Sequence, residues 1–140
     1  MDTIIKTGST FYVDSVVLTI GKEKEVSRYK DKEITDELLN KIKLCINEEK
    51  LIRLDTENIR DAITMTVFGD KNIFHFGIVD MFNEIIYYYD NGTNNTEKIG
   101  IAGSKFMRKM ICDSKDVVFK AICYFMKYGK NDDSLSWIIE

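Results

Sequence analysis

Hydrophobic and polar positions along this chain alternate with two different periods, and the switches between them outline the elements. Residues 11–20 (FYVDSVVLTI) are rich in β-branched and aromatic side chains and stop at Gly21, which predicts a strand and then a turn over 21–24. Residues 25–29 predict a short return strand at a sheet edge. Thr35-Asp36-Glu37 has the chemistry of a helix start, with a hydroxyl to accept from free N–H groups and two carboxylates at the positive end of the dipole. Leu38, Leu39, Ile42, Cys45, Ile46 and Glu49 follow at helical spacing, with Lys41 and Lys43 facing out. An amphipathic helix of about 14 residues is expected there.

The period then changes to two. A short strand is expected to begin over 51–54. In residues 62–68, Ile63, Met65 and Val67 alternate with Thr64 and Thr66, a half-buried strand pattern. Residues 73–79 (IFHFGIV) and 84–89 (EIIYYY) give two more runs, separated by turns at 69–72 and 80–83 and closed by Asp90-Asn91-Gly92. Loops this short require antiparallel neighbours, so the centre of the chain is a β-meander. Residues 93–96 are polar and loop-like, 97–102 suggest a further strand, and 103–111 fit either helix or strand. Asp113 or Ser114 caps a second helix with Val117, Val118, Ala121, Ile122 and Phe125 on its apolar stripe, stopped by Gly129. After a turn at 131–133, a last strand over 135–139 carries Trp137. The expected fold is α+β: one domain over residues 1–140, with a central antiparallel meander, two flanking main helices and a C-terminal strand.

Composition narrows the function classes. The 140 residues include 20 basic and 23 acidic side chains, a formal charge of -3. That balance opposes binding to a phosphate backbone, which needs a clustered positive field. No apolar stretch reaches ~18 residues, so no membrane span is expected. Met1 to Lys6 lacks a basic region followed by an apolar run, so the expected location is cytoplasmic.

Candidate chemistry is sparse. The three cysteines, Cys45, Cys112 and Cys123, form no C-x-x-C pair, and His75 is the single histidine, so neither a zinc site nor any cofactor is expected. Cys112, Asp113 and His75 are the one trio available to a thiol enzyme, with Cys112 placed before a helix start that would lower its pKa. His75 lies between Phe74 and Phe76. If those rings face the core, it faces the other side beside solvent or a partner, as a surface or hydrogen-bonded histidine. Carboxylates group as Asp55, Glu57 and Asp61, as Asp80, Glu84 and Asp90, and as Asp132, Asp133 and Glu140. Each group reads either as a solvated loop or as a recognition surface. Tyr88 is expected on one strand face with Glu84, Ile86 and Asp90. There it serves recognition, as a ring flanked by steering acids, or covers a second core layer.

Residues 116–129 (DVVFKAICYFMKYG) form a helix ending in Phe-x-x-x-Gly, followed shortly by Leu135-Ser136-Trp137, and residues 84–92 (EIIYYYDNG) form an aromatic strand before it. This arrangement resembles the Imm1 family of bacterial immunity proteins over roughly the last sixty residues. That family's Thr-Gly-Glu-x-Pro turn is Tyr128-Gly129-Lys130-Asn131-Asp132 here. The resemblance implies a non-enzymatic cytoplasmic antidote that binds the C-terminal toxin domain of a polymorphic or contact-dependent inhibition system. Such toxins are frequently nucleases or other nucleic-acid-acting enzymes with basic surfaces. Charge and expected exposure, independently of the family, nominate Asp80, Glu84, Tyr88 and Asp90 for toxin binding, then Asp55, Glu57 and Asp61. The rival readings are a non-catalytic adaptor for a host protein and the Cys112/His75 thiol enzyme.

Overall fold

The computed structural model describes residues 11–140, so the reading of Met1 to Lys6 lies outside the described residues. The chain runs β1 (Ser15–Ile20), β2 (Glu25–Lys30), α1 (Asp36–Asn47), β3 (Leu51–Asn58), β4 (Ile63–Asp70), β5 (Ile73–Asp80), β6 (Ile85–Tyr89), β7 (Lys98–Ile101), β8 (Ser104–Met107), α2 (Lys115–Tyr128) and β9 (Trp137–Ile139). Among the described residues, seven strands form one antiparallel sheet in the order β2-β1-β3-β4-β5-β6-β9, and β7 and β8 pair separately as a hairpin. The fold is α+β, with the meander β3 to β6 at its centre.

Strand alternation decides which side chains meet the helices. Leu54, Val67 and Phe76 are consecutive cross-strand partners and fully buried, as are Leu18 beside Leu54 and Ile78 beside Met65. Against this face α1 lays Leu38, Leu39, Ile42, Cys45 and Ile46, and α2 lays Val118, Ala121, Ile122, Phe125 and Met126. Each of the larger side chains contributes about 1.5–3 kcal/mol by leaving water.

Helix ends follow the expected chemistry. The Thr35 hydroxyl accepts from Leu38 N–H at 3.3 Å, and the Ser114 hydroxyl, rather than Asp113, accepts from Val117 N–H at 3.2 Å. Gly129 ends α2 in the left-handed region at φ 69°, donating to the Phe125 carbonyl at 2.8 Å. The Tyr12 ring lies where a Cβ on Gly129 would stand, so a side chain there is excluded twice over. The first helix is shorter than its pattern suggests. Glu49 adopts φ 61° and turns the chain toward β3 instead of extending α1.

The strands expected to begin at Leu51 and to lie within 97–102 are present, and three placements go beyond what the pattern predicted. The strand begun at Leu51 runs the full eight residues to Asn58 and sits centrally between β1 and β4. Residues 97–102 do not extend the meander: β7 folds back on β8, and Arg108–Met110 makes a single 3-10 turn. The edge of β6 is covered by β9, which leaves β2 and β9 as the outer strands among the described residues. No helix among the described residues is long and apolar enough to cross a membrane.

Candidate functional site

Both helices occupy one face of the sheet, and the hairpin β7–β8 roofs only one end of the other. Its Phe106 ring stacks on His75 at 3.8 Å between centroids and packs beside Phe68 at 5.4 Å. His75 turns away from the core as Phe74 and Phe76 enter it, yet it is buried, not at the surface, because Phe106 covers it. Its Nδ1 lies 3.2 Å from the Met110 carbonyl, and burial pulls its pKa down to about 4.

Cys112 belongs to the core cluster on the other side of β5, where its thiol donates to the Ser114 carbonyl at 3.4 Å. Burial pushes that thiol's pKa up, which overrides the lowering expected from the nearby helix start. Ring and thiol therefore have separate partners on opposite faces. Among the described residues no group of three or more His, Cys, Asp or Glu side chains is arranged to hold a metal.

The nominated carboxylates fall into three places. Asp55, Glu57 and Tyr88 lie on the open face. The Asp55 carboxylate is held by Arg53, whose Nε is 2.9 Å away, and by the Thr66 hydroxyl at 2.8 Å. Tyr88 pairs with Gly77, and its ring lies 3.0 Å from where a Cβ would stand, beside His75 at 5.7 Å. Asp90 sits past the end of β6, where it accepts from Gly92 N–H at 2.9 Å. Glu84 precedes β6 in a left-handed conformation, φ 54°. Tyr88 therefore shares its strand face with Ile86, while Glu84 and Asp90 lie off the strand at opposite ends. Asp132 is buried, not solvated, and Ser134 donates to it from both backbone N–H and hydroxyl at 2.9 and 2.7 Å.

Asp61, Asp80 and Glu84 come together at the end away from the hairpin. Asp61 and Glu84 belong to two neighbouring tight turns, residues 59–62 and 81–84, with Asp80 ending β5 just before the second, and the turns are joined by a hydrogen bond from Met81 N–H to the Ala62 carbonyl at 3.1 Å. The first turn is anchored from below. Buried Asn58 donates through Nδ2 to the Tyr12 carbonyl at 2.8 Å and accepts from Asp61 N–H at 2.9 Å, while the Tyr12 hydroxyl donates to Asp61. Burial and that carboxylate push the Tyr12 pKa up to about 12. The second turn is set by Asp80, whose carboxylate accepts from the Asn83 backbone at 3.1 Å and side chain at 2.8 Å.

These two turns carry large apolar side chains into water. Ile59 is 59% exposed, Met81 68% and Phe82 73%. Sequence reasoning missed them because residues 80–83 read simply as a turn. The available signal was an adjacent methionine and phenylalanine where polar residues are usual. A groove beside them, lined by Tyr12, Asp61, Asp80, Phe82, Gly129 and Lys130, runs to the end of α2.

No family model matches this chain, and no curated protein matches it. Among solved structures it is similar to the crystal structure of a hypothetical protein from Neisseria gonorrhoeae, with a TM-score of 0.61 over 94% of this chain and 96% of that one. At 15% identity, that likeness shows the fold alone.

Proposed function

We propose that the chain is a non-catalytic immunity protein of the bacterial cytoplasm. In this reading it binds the C-terminal toxin domain of a polymorphic or contact-dependent inhibition system and blocks access to that domain's active site. The observation that carries the reading is the gathering of exposed Ile59, Met81 and Phe82 with Asp61, Asp80 and Glu84 at two linked turns and the strand end beside them. Exposed aromatic and methionine side chains make anchors when a partner covers them, and flanking carboxylates raise the rate of encounter with a basic surface. A toxin acting on nucleic acid presents such a surface, because it must hold phosphates. The resemblance of residues 84–137 to the Imm1 family supports the same reading, as does the formal charge of -3.

Neutralisation needs a dissociation constant near nanomolar, about -12 kcal/mol. The turns alone do not supply the ~800 Å² per partner of a standard interface, so the open face with Glu57 and Tyr88 extends the contact. The test is co-expression with the C-terminal domain encoded immediately upstream. Growth rescue together with a co-purifying complex is expected. A domain that stays lethal and unbound in the presence of this chain, or that is harmless by itself, refutes the assignment for that pair.

A further inference from the structure

We infer that two copies of this chain pair through β9 in an antiparallel, two-fold arrangement that continues the sheet from one copy into the other. Among the described residues, the backbone of β9 has spent only half of its hydrogen-bonding groups. Glu140 exchanges both backbone bonds with Ile86, at 2.9 and 3.0 Å, and the Ser136 carbonyl accepts from Asp90 N–H at 3.0 Å. Ile138 lies opposite Tyr88 in the same ladder. Alternate residues of an edge strand face outward, so Trp137 and Ile139 turn their N–H and C=O groups to the free edge.

The register of self-pairing is fixed by geometry. With a two-fold axis perpendicular to the sheet, partners across the new ladder must point to the same face. Centring the axis on Ile138 sets Trp137 against Ile139 of the second copy, and Ile139 against Trp137. These are the residues with unspent groups, and they exchange four backbone bonds. Ile138 meets its own copy, and Ser136 meets Glu140, so no like charges oppose each other. The Ile139 side chain, 64% exposed, gains the indole of the second copy, whose ring is held by a bond from Nε1 to the Asp132 carbonyl at 2.9 Å.

The other edge behaves oppositely. A self-pairing of β2 centred on Arg28 sets that guanidinium against its own copy, and one centred on Tyr29 sets Arg28 against Lys30. Charge thus opposes these registers of β2, whereas the register of β9 sets no like charges against each other. The two turn ends of such a dimer point in opposite directions, so both copies keep Phe82 accessible. Self-association stands or falls independently of any toxin.

The contact is small, so the expected dimer is reversible, with a dissociation constant on the order of 10–100 μM. Sedimentation of the full chain across that range tests it, alongside Ile139→Pro. This substitution removes an outward N–H without touching any bond to β6, and proline is tolerated on an edge strand. The dimer is expected to weaken at least ~10-fold while the circular dichroism spectrum stays unchanged. Should the proline variant misfold, Ile138→Lys decides, because it sets two ammonium groups on the two-fold axis and is expected to give a monomer. Amide exchange at Trp137 and Ile139 is expected to slow as concentration rises. A chain monomeric at every concentration overturns the inference, as does a dimer indifferent to both substitutions. Protection of those two amides only when a toxin domain is added overturns it in favour of a partner's strand.

Discussion

The two ends of the open sheet face treat their apolar side chains in opposite ways. At the β4–β5 end, β7–β8 lays Phe106 over His75 and Phe68, and the Arg53 guanidinium stacks on Phe68 at 5.0 Å. At the other end Met81 and Phe82 stand in water on turns whose backbones are tightly hydrogen-bonded. A short polar turn does not need a phenylalanine. The chain covers rings at one end and presents them at the other, and rigid support under an exposed ring is what a docking anchor requires.

The largest effect expected from breaking this contrast is a pH effect at the covered end. His75 has a pKa of about 4 in the folded chain, against about 6.5 when unfolded. The folded state therefore binds fewer protons. The stabilisation from keeping this ring neutral is complete above the unfolded value and is lost as pH falls through 6.5 toward 4. Between about pH 7 and pH 4.5 the wild type should lose roughly 2–3 kcal/mol more than His75→Phe. Urea unfolding of both proteins at the two pH values measures it. Equal losses would show that the ring is accessible to protons while folded.

Removing the roof gives the next effect. Phe106 is half-buried, so Phe106→Ala should cost about 2 kcal/mol, less than the ~3–5 kcal/mol of a fully buried phenylalanine. The His75 pKa should climb toward its ordinary value as water reaches the ring, visible in an NMR titration of its ring protons. A pKa that stays near 4 would place the burial elsewhere.

How much of this was legible follows from which contacts are local. Alternation in residues 63–79 identified the core face, because strand geometry sends every second side chain the same way. Thr35, Ser114 and Gly129 could be assigned because caps act within four residues. The placement of His75 could not. Alternation put it opposite Phe74 and Phe76, but its cover comes from Phe106, some thirty residues on, in a segment that fitted helix and strand equally. The same limit applied to the acids. Asp61 and Asp80 are 19 positions apart in sequence and meet because β4 and β5 return the chain to one end. Glu84 and Asp90 looked like one patch with Tyr88 because they share its period, yet neither belongs to β6.

The most direct test of the antidote reading is the affinity of wild type and Phe82→Ala for the purified toxin domain, with unfolding measured in parallel. Truncating a side chain that is 73% exposed should leave stability within about 0.5 kcal/mol. Its loss as an anchor should weaken binding by about 2 kcal/mol, roughly 30-fold. An affinity that Phe82→Ala leaves untouched would contradict docking through this end of the sheet.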